Sequence, residues 1–148
     1  MISMDKEKIL SQIKRDFFCY RNGLVADGIR KIYPVGTQIF GLTLPQLSEI
    51  AKKYPKNLDL GLSLWTEKNT RESRLLALYL IPPLEISSNQ LVEMINDVRS
   101  IEEAELLPFK ILRYSNYRNS ILESFKDSDS KNDLVKHCIK MFQKNLNL

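Results

Sequence analysis

The chain has 148 residues, 43% of them hydrophobic and 27% charged, with a formal net charge of +4. That balance can bury a core, so it excludes a disordered or fibrous chain and fits one compact domain spanning 1–148. No apolar run reaches the roughly 18–20 residues needed to cross a bilayer, so no membrane partner is expected. The opening MISMDKEKIL is charged where a secretion signal would turn apolar, which argues for a cytoplasmic protein. Cys19 and Cys138 are far apart and form no C-x-x-C pattern, so two reduced thiols are expected rather than a disulfide. The mild excess of positive charge permits an acidic partner such as nucleic acid without requiring one.

In chain order, Ile9, Ile13 and Phe17 recur at helical spacing with Leu10 beside them, which predicts an amphipathic helix from about Met4 to Tyr20. Gly23, Gly28, Pro34, Gly36 and Gly41 then punctuate the chain, predicting a short helix followed by irregular backbone. Pro45 suits the first turn of a helix over Leu44 to Lys53. LDLGLSLW, Leu58 to Trp65, alternates like a strand, yet Asn57 can cap it and no second strand is evident to pair with it. It is read as helix.

Asn69 with Glu72, Ser87 with Gln90 and Ser100 with Glu103 have the spacing of capping boxes that open further helices. Pro82 and Pro83 stop one of them. Leu91, Ile95 and Val98 mark the apolar face of the next. The helix from Ser100 to about Ser115 contains Pro108 and is predicted to bend there. The last helix runs from about Ser130 to Leu146 with Val135, Ile139, Phe142 and Leu146 as its stripe. Seven to nine short helices in succession predict an all-α protein, either an α-solenoid of antiparallel helix pairs or a compact helical bundle.

FGLTLPQLSEIAKKY followed by LGLSLWTEKNTRESRLLALYL resembles the AlkD-like DNA alkylation repair family. The resemblance rests on Phe40-Gly41, Pro45, Leu64-Trp65, Glu72 and Ala77-Leu78 in order, over about residues 38 to 115. It implies a HEAT-like solenoid, double-stranded DNA as partner and, in core members, glycosylase removal of cationic alkylated bases. In that family an Asp stabilises the cationic sugar, a tryptophan-rich cleft supports the lesion, and an Arg holds the backbone nearby.

Matched at Pro108 in RSIEEAELLPFKILRYS, the family's catalytic Asp falls on Ala104 and its Trp on Ser100. Glu105 lies one residue away, a turn of about 100° on a helix, and is the weak catalytic candidate. The later Arg falls on Lys136 in KNDLVKHCIKMF, and the sequence ends at Leu148, before the family's further repeats. The resemblance therefore implies a short, divergent member with glycosylase activity weak or lost, and leaves open whether it is an enzyme.

Candidate DNA contacts are Arg71 and Arg74, which share a helix face, and Lys110, Arg113, Tyr114 and Arg118 in KILRYSNYR. Lys136 and Lys140, continued by Lys144, form a stripe on the last helix. For each the competing reading is a solvated face. Trp65 reads as a packing residue and Glu72 as a helix cap. His137 beside Cys138 makes neither a catalytic pair nor a metal site, and no cofactor is called for. The alternatives to a DNA-binding protein are a HEAT-like protein-interaction module and an active glycosylase using Glu105.

Overall fold

The computed structural model describes residues 2–126 and 132–147. Among them the chain is all-helical, as the spacing predicts. Nine α-helices follow one another: α1 (Ile2–Cys19), α2 (Gly23–Ile29), α3 (Leu44–Ala51), α4 (Leu58–Trp65), α5 (Arg71–Leu80), α6 (Ser88–Asn96), α7 (Ile101–Lys110), α8 (Arg118–Phe125) and α9 (Asp133–Leu146). No described helix is long and apolar enough to cross a membrane. The chain divides into two compact units, one ending at Ile81 and one beginning at Pro82. Pro82 drives Ile81 into extended backbone, φ −75° and ψ 120°, and so stops α5 at the division.

In the first unit α1 buries Ile13 and Phe17, while Ile9 and Leu10 are half-buried. The Asn22 side chain caps α2 by accepting the N–H groups of Leu24 and Val25. Thr43 and Gln46 form a full capping box around Pro45 at the start of α3. The ambiguous LDLGLSLW is the helix α4, capped by Asn57. Leu60 and Leu64 are buried but Leu58 and Leu62 only partly so, because burial follows the helical period rather than the alternation. α4 packs on α5, and a side chain at Gly61 would collide with Ile81.

The Asn69–Glu72 capping box is not formed. Thr70 is the N-cap of α5 and its side chain makes no cap hydrogen bond. Glu72 instead is fully buried and reaches back over thirty residues to the turn before α3. Its carboxylate accepts the N–H groups of Phe40 at 2.9 Å, Gly41 at 3.0 Å and Leu42 at 3.3 Å. Arg71 Nη1 completes the arrangement by donating to Glu72 Oε2 at 2.6 Å and to the Leu42 carbonyl at 2.8 Å. Gly41 has φ +89°, and a Cβ there would strike the backbone of Asn22 and Ala26.

A second polar anchor ties α1 to the end of α3. Asp16, 5% exposed, accepts hydrogen bonds from Tyr54 at 2.6 Å, Lys53 at 3.1 Å and Gln12 at 3.3 Å. Burial pushes its carboxyl up, but the three hydrogen bonds together outweigh burial and hold it below its ordinary value. Burial first, and then the bond to Asp16, pushes the Tyr54 hydroxyl well above its usual range.

In the second unit α6 opens with the expected Ser87–Gln90 capping box. Ser100 caps α7 through the Glu103 N–H, while Glu103 reaches one residue further back than expected, to the Arg99 N–H. The helix predicted to bend at Pro108 and run to Ser115 ends at Lys110. Pro108 has no N–H for the Ala104 carbonyl, and three residues on Ile111 leaves helical geometry at φ −125° and ψ −59°. A 3-10 turn, Leu112–Tyr114, follows.

α9 is capped by Asn132 and packs on α7, with α6 and α8 also against it. The start expected at Ser130 lies outside the described residues. Val135, Cys138 and Phe142 are its buried residues, whereas Ile139 and Leu146 are only half-buried. The three-then-four spacing follows 3.6 residues per turn more closely than the repeated four-residue step.

Two stability outcomes are expected. Glu72→Gln leaves Arg71 buried without its counter-charge and weakens the bonds to the turn. A loss of about 3–5 kcal/mol in urea unfolding is expected. Folded Asp16 ionises more readily than unfolded Asp, so its contribution is complete above about pH 4 and is lost as pH falls through the folded value. Tyr54→Phe should cost about 1–3 kcal/mol at pH 7, less at pH 3, and so flatten the acid limb of the stability curve.

Candidate nucleic-acid interface

The position matched to the family's Asp carries no carboxylate and is closed. Ala104 is fully buried on α7, and Ser100, matched to the Trp, is a buried N-cap. Glu105, one residue along, points to the surface, its side chain 47% exposed, and its Oε2 lies 2.8 Å from His137 Nε2 on α9. Nothing in that placement encloses a substrate. A cavity of about 720 Å³ lies in the first unit, lined by Phe17, Phe40, Glu67, Thr70 and Ser73 among others, and no predicted site residue lines it.

The structure corrects the placement of Arg71 and Arg74 as phosphate contacts. Both are buried, at 2% and 0% exposure. Arg71 is held by Glu72 and the Leu42 carbonyl, as above. Arg74 donates to the Trp65 carbonyl at 3.0 Å, and its guanidinium lies 3.5 Å from the centre of the Trp65 ring. Trp65 itself is buried, as a packing residue. The i, i+3 spacing of the two arginines reads equally well as an exposed pair or as two inward guanidiniums. Of their buried acceptors only the Leu42 carbonyl is distant in the chain; Glu72 adjoins Arg71, and the Trp65 carbonyl lies nine residues before Arg74 at the end of α4.

The remaining predicted contacts all lie in the second unit. Lys110, Tyr114 and Arg118 do not share one helical face, because α7 ends at Lys110 and α8 begins at Arg118. The break instead gathers a cluster around Arg113. Its guanidinium sits 4.1 Å from the centre of the Phe109 ring and 4.6 Å from that of Tyr114. Its Nη2 donates to the Tyr114 hydroxyl at 2.6 Å. The Lys110 ammonium lies 5.8 Å from the Phe109 ring centre.

Phe109, Tyr114 and Tyr117 remain 42%, 50% and 43% exposed. Phe109 is on α7, and the loop carrying Tyr114 and Tyr117 is pinned by buried Ser115, whose Oγ accepts the Tyr117 N–H and whose carbonyl accepts Arg118 Nη1. On α9, Lys136, Lys140 and Lys144 are exposed, while Val135, Cys138 and Phe142 face inward. Burial pushes the Cys138 thiol up to about 12, which makes it a poor nucleophile. Phe109 is the member of the cluster that basic-residue spacing alone does not single out; its position one turn before Arg113 was the available signal.

The model of a family described as DNA alkylation repair enzyme matches residues 13–142 of the chain. No curated protein and no solved structure gives a significant match. The matched span takes in the end of α1, α2 through α8 and the first ten of the fourteen residues of α9, including both the Glu72-held turn and the Arg113 cluster. The chain belongs to the DNA alkylation repair enzyme family.

Proposed function

We propose that the protein is a DNA-binding member of its family, gripping the phosphate backbone with basic side chains of the second unit, its glycosylase activity weak or lost. Arg113, Arg118, Lys136 and Lys140 are the leading contacts, with Lys110 and Tyr114 beside them. The observation that carries the reading is the contrast between α7 and the turn that follows it. The position matched to the catalytic Asp is a buried alanine, while the end of α7 and the turn beyond it carry the exposed rings of Phe109 and Tyr114 with the half-buried cations Lys110 and Arg113 beside them. Family membership supports a DNA-repair role, and the HEAT-like arrangement of helix pairs belongs to this proposal.

Such binding is led by charge. Each phosphate neutralised releases counterions, so affinity falls with salt and varies little with sequence. Glu105 has the charge for stabilising a cationic sugar but is engaged by His137 and lies on an open surface, where water screens it. The protein-interaction alternative draws on Leu24 and Val35, which stand 87% and 107% exposed in the first unit.

The test is binding to a labelled 20-base-pair duplex across a salt series. Steep salt dependence is expected, and Arg113→Ala/Lys136→Ala should weaken binding and reduce the slope by about 2, one for each lost phosphate contact. A base-release assay on alkylated duplex should show little or no activity, and Glu105→Gln should change it little. Absence of duplex binding at low salt would overturn the proposal in favour of a protein-interaction module.

A further inference from the structure

We propose that Phe109, Arg113 and Tyr114 form a stacking platform for an unpaired base, so that the second unit prefers single-stranded nucleic acid to duplex. The inference rests on the nucleic-acid reading above and adds the ligand's form. A phosphate grip needs only cations on a surface. This cluster offers two rings exposed by 42% and 50%, held by a guanidinium packed against both. The hydrogen bond from Arg113 to the Tyr114 hydroxyl fixes one ring further. A ring held from one side leaves its other face for a ligand, and an ordered platform loses little entropy when a base settles on it.

A further observation favours a ligand over plain packing. The exposed tips beside Arg113 are aromatic and cationic, with Tyr117 43% exposed and Arg118, also exposed, opening α8. Arg118 spends one N–H on the Ser115 carbonyl, and a guanidinium has five. Bases stacked inside a duplex cannot present a face to such a platform, whereas bases of a single strand can. Aromatic stacking tolerates any base, so little sequence preference is expected.

The experiment compares the full-length protein on a 20-nucleotide mixed-sequence single strand and on the duplex of the same sequence, at one salt concentration. Phe109→Leu keeps apolar bulk and removes the ring that the phosphate grip does not use, and its fold is checked by its thermal transition. The wild type should bind the single strand at least tenfold more tightly. The variant should lose roughly 10-fold on the single strand and little on the duplex. A 2-aminopurine in the strand should change fluorescence on binding the wild type and change less with the variant. Equal or tighter duplex binding, with the variant unchanged on both, overturns the platform while leaving the duplex reading intact. No binding to either ligand overturns both.

Discussion

The first unit depends on one buried carboxylate. Three consecutive N–H groups of the turn at Phe40 to Leu42 have no helix or strand to satisfy them, and Glu72 accepts all three. Burying that charge is costly unless it is compensated, and Arg71 supplies both the counter-charge and a bond to the Leu42 carbonyl. The left-handed Gly41 lets the turn pass close to the Asn22–Ala26 backbone. Glycine, glutamate and arginine thus act as one unit, joining the start of α3 to the start of α5. The two arginines that look like DNA contacts in the sequence are consumed in such internal work.

The second unit uses a helix break where the first uses a buried pair. α7 runs two residues past Pro108 and ends where Ile111 leaves helical geometry, so Lys110 to Arg118 becomes a pinned turn instead of a helical face. A continuous helix would align Lys110, Tyr114 and Arg118 as a simple basic stripe. The break instead packs Arg113 between two exposed rings. That local geometry connects sequence to proposed function: it exchanges a surface that attracts phosphates for one that can also receive a base.

Helix positions were largely legible because burial follows the 3.6-residue period and the starts carry their own capping residues, as at Asn57, Ser87 and Ser100. What escaped was long-range. Glu72 and Ser87 look alike as parts of capping boxes, but only Ser87 acts locally, because the partner of Glu72 lies thirty residues back. The Tyr54–Asp16 and His137–Glu105 contacts, 38 and 32 residues apart, have no local signature either. In the candidate site the chemistry of Arg113 was readable from its aromatic neighbours. The inward turn of Arg71 and Arg74 was not, since a periodic pattern does not say which polar residue finds a buried acceptor. Ala104 was readable as a lost carboxylate, and its burial gives that loss a structural form.

The central claim is that nucleic acid contacts the second unit through the turn after α7 and the lysine face of α9. Backbone amide NMR of the whole chain, titrated with a short oligonucleotide, reads this residue by residue. Shifts concentrated at residues 109–118 and on α9 around Lys136 and Lys140, with Arg71 and Arg74 unmoved, are the expected result. Shifts confined to the first unit would contradict the account and place any nucleic-acid surface elsewhere.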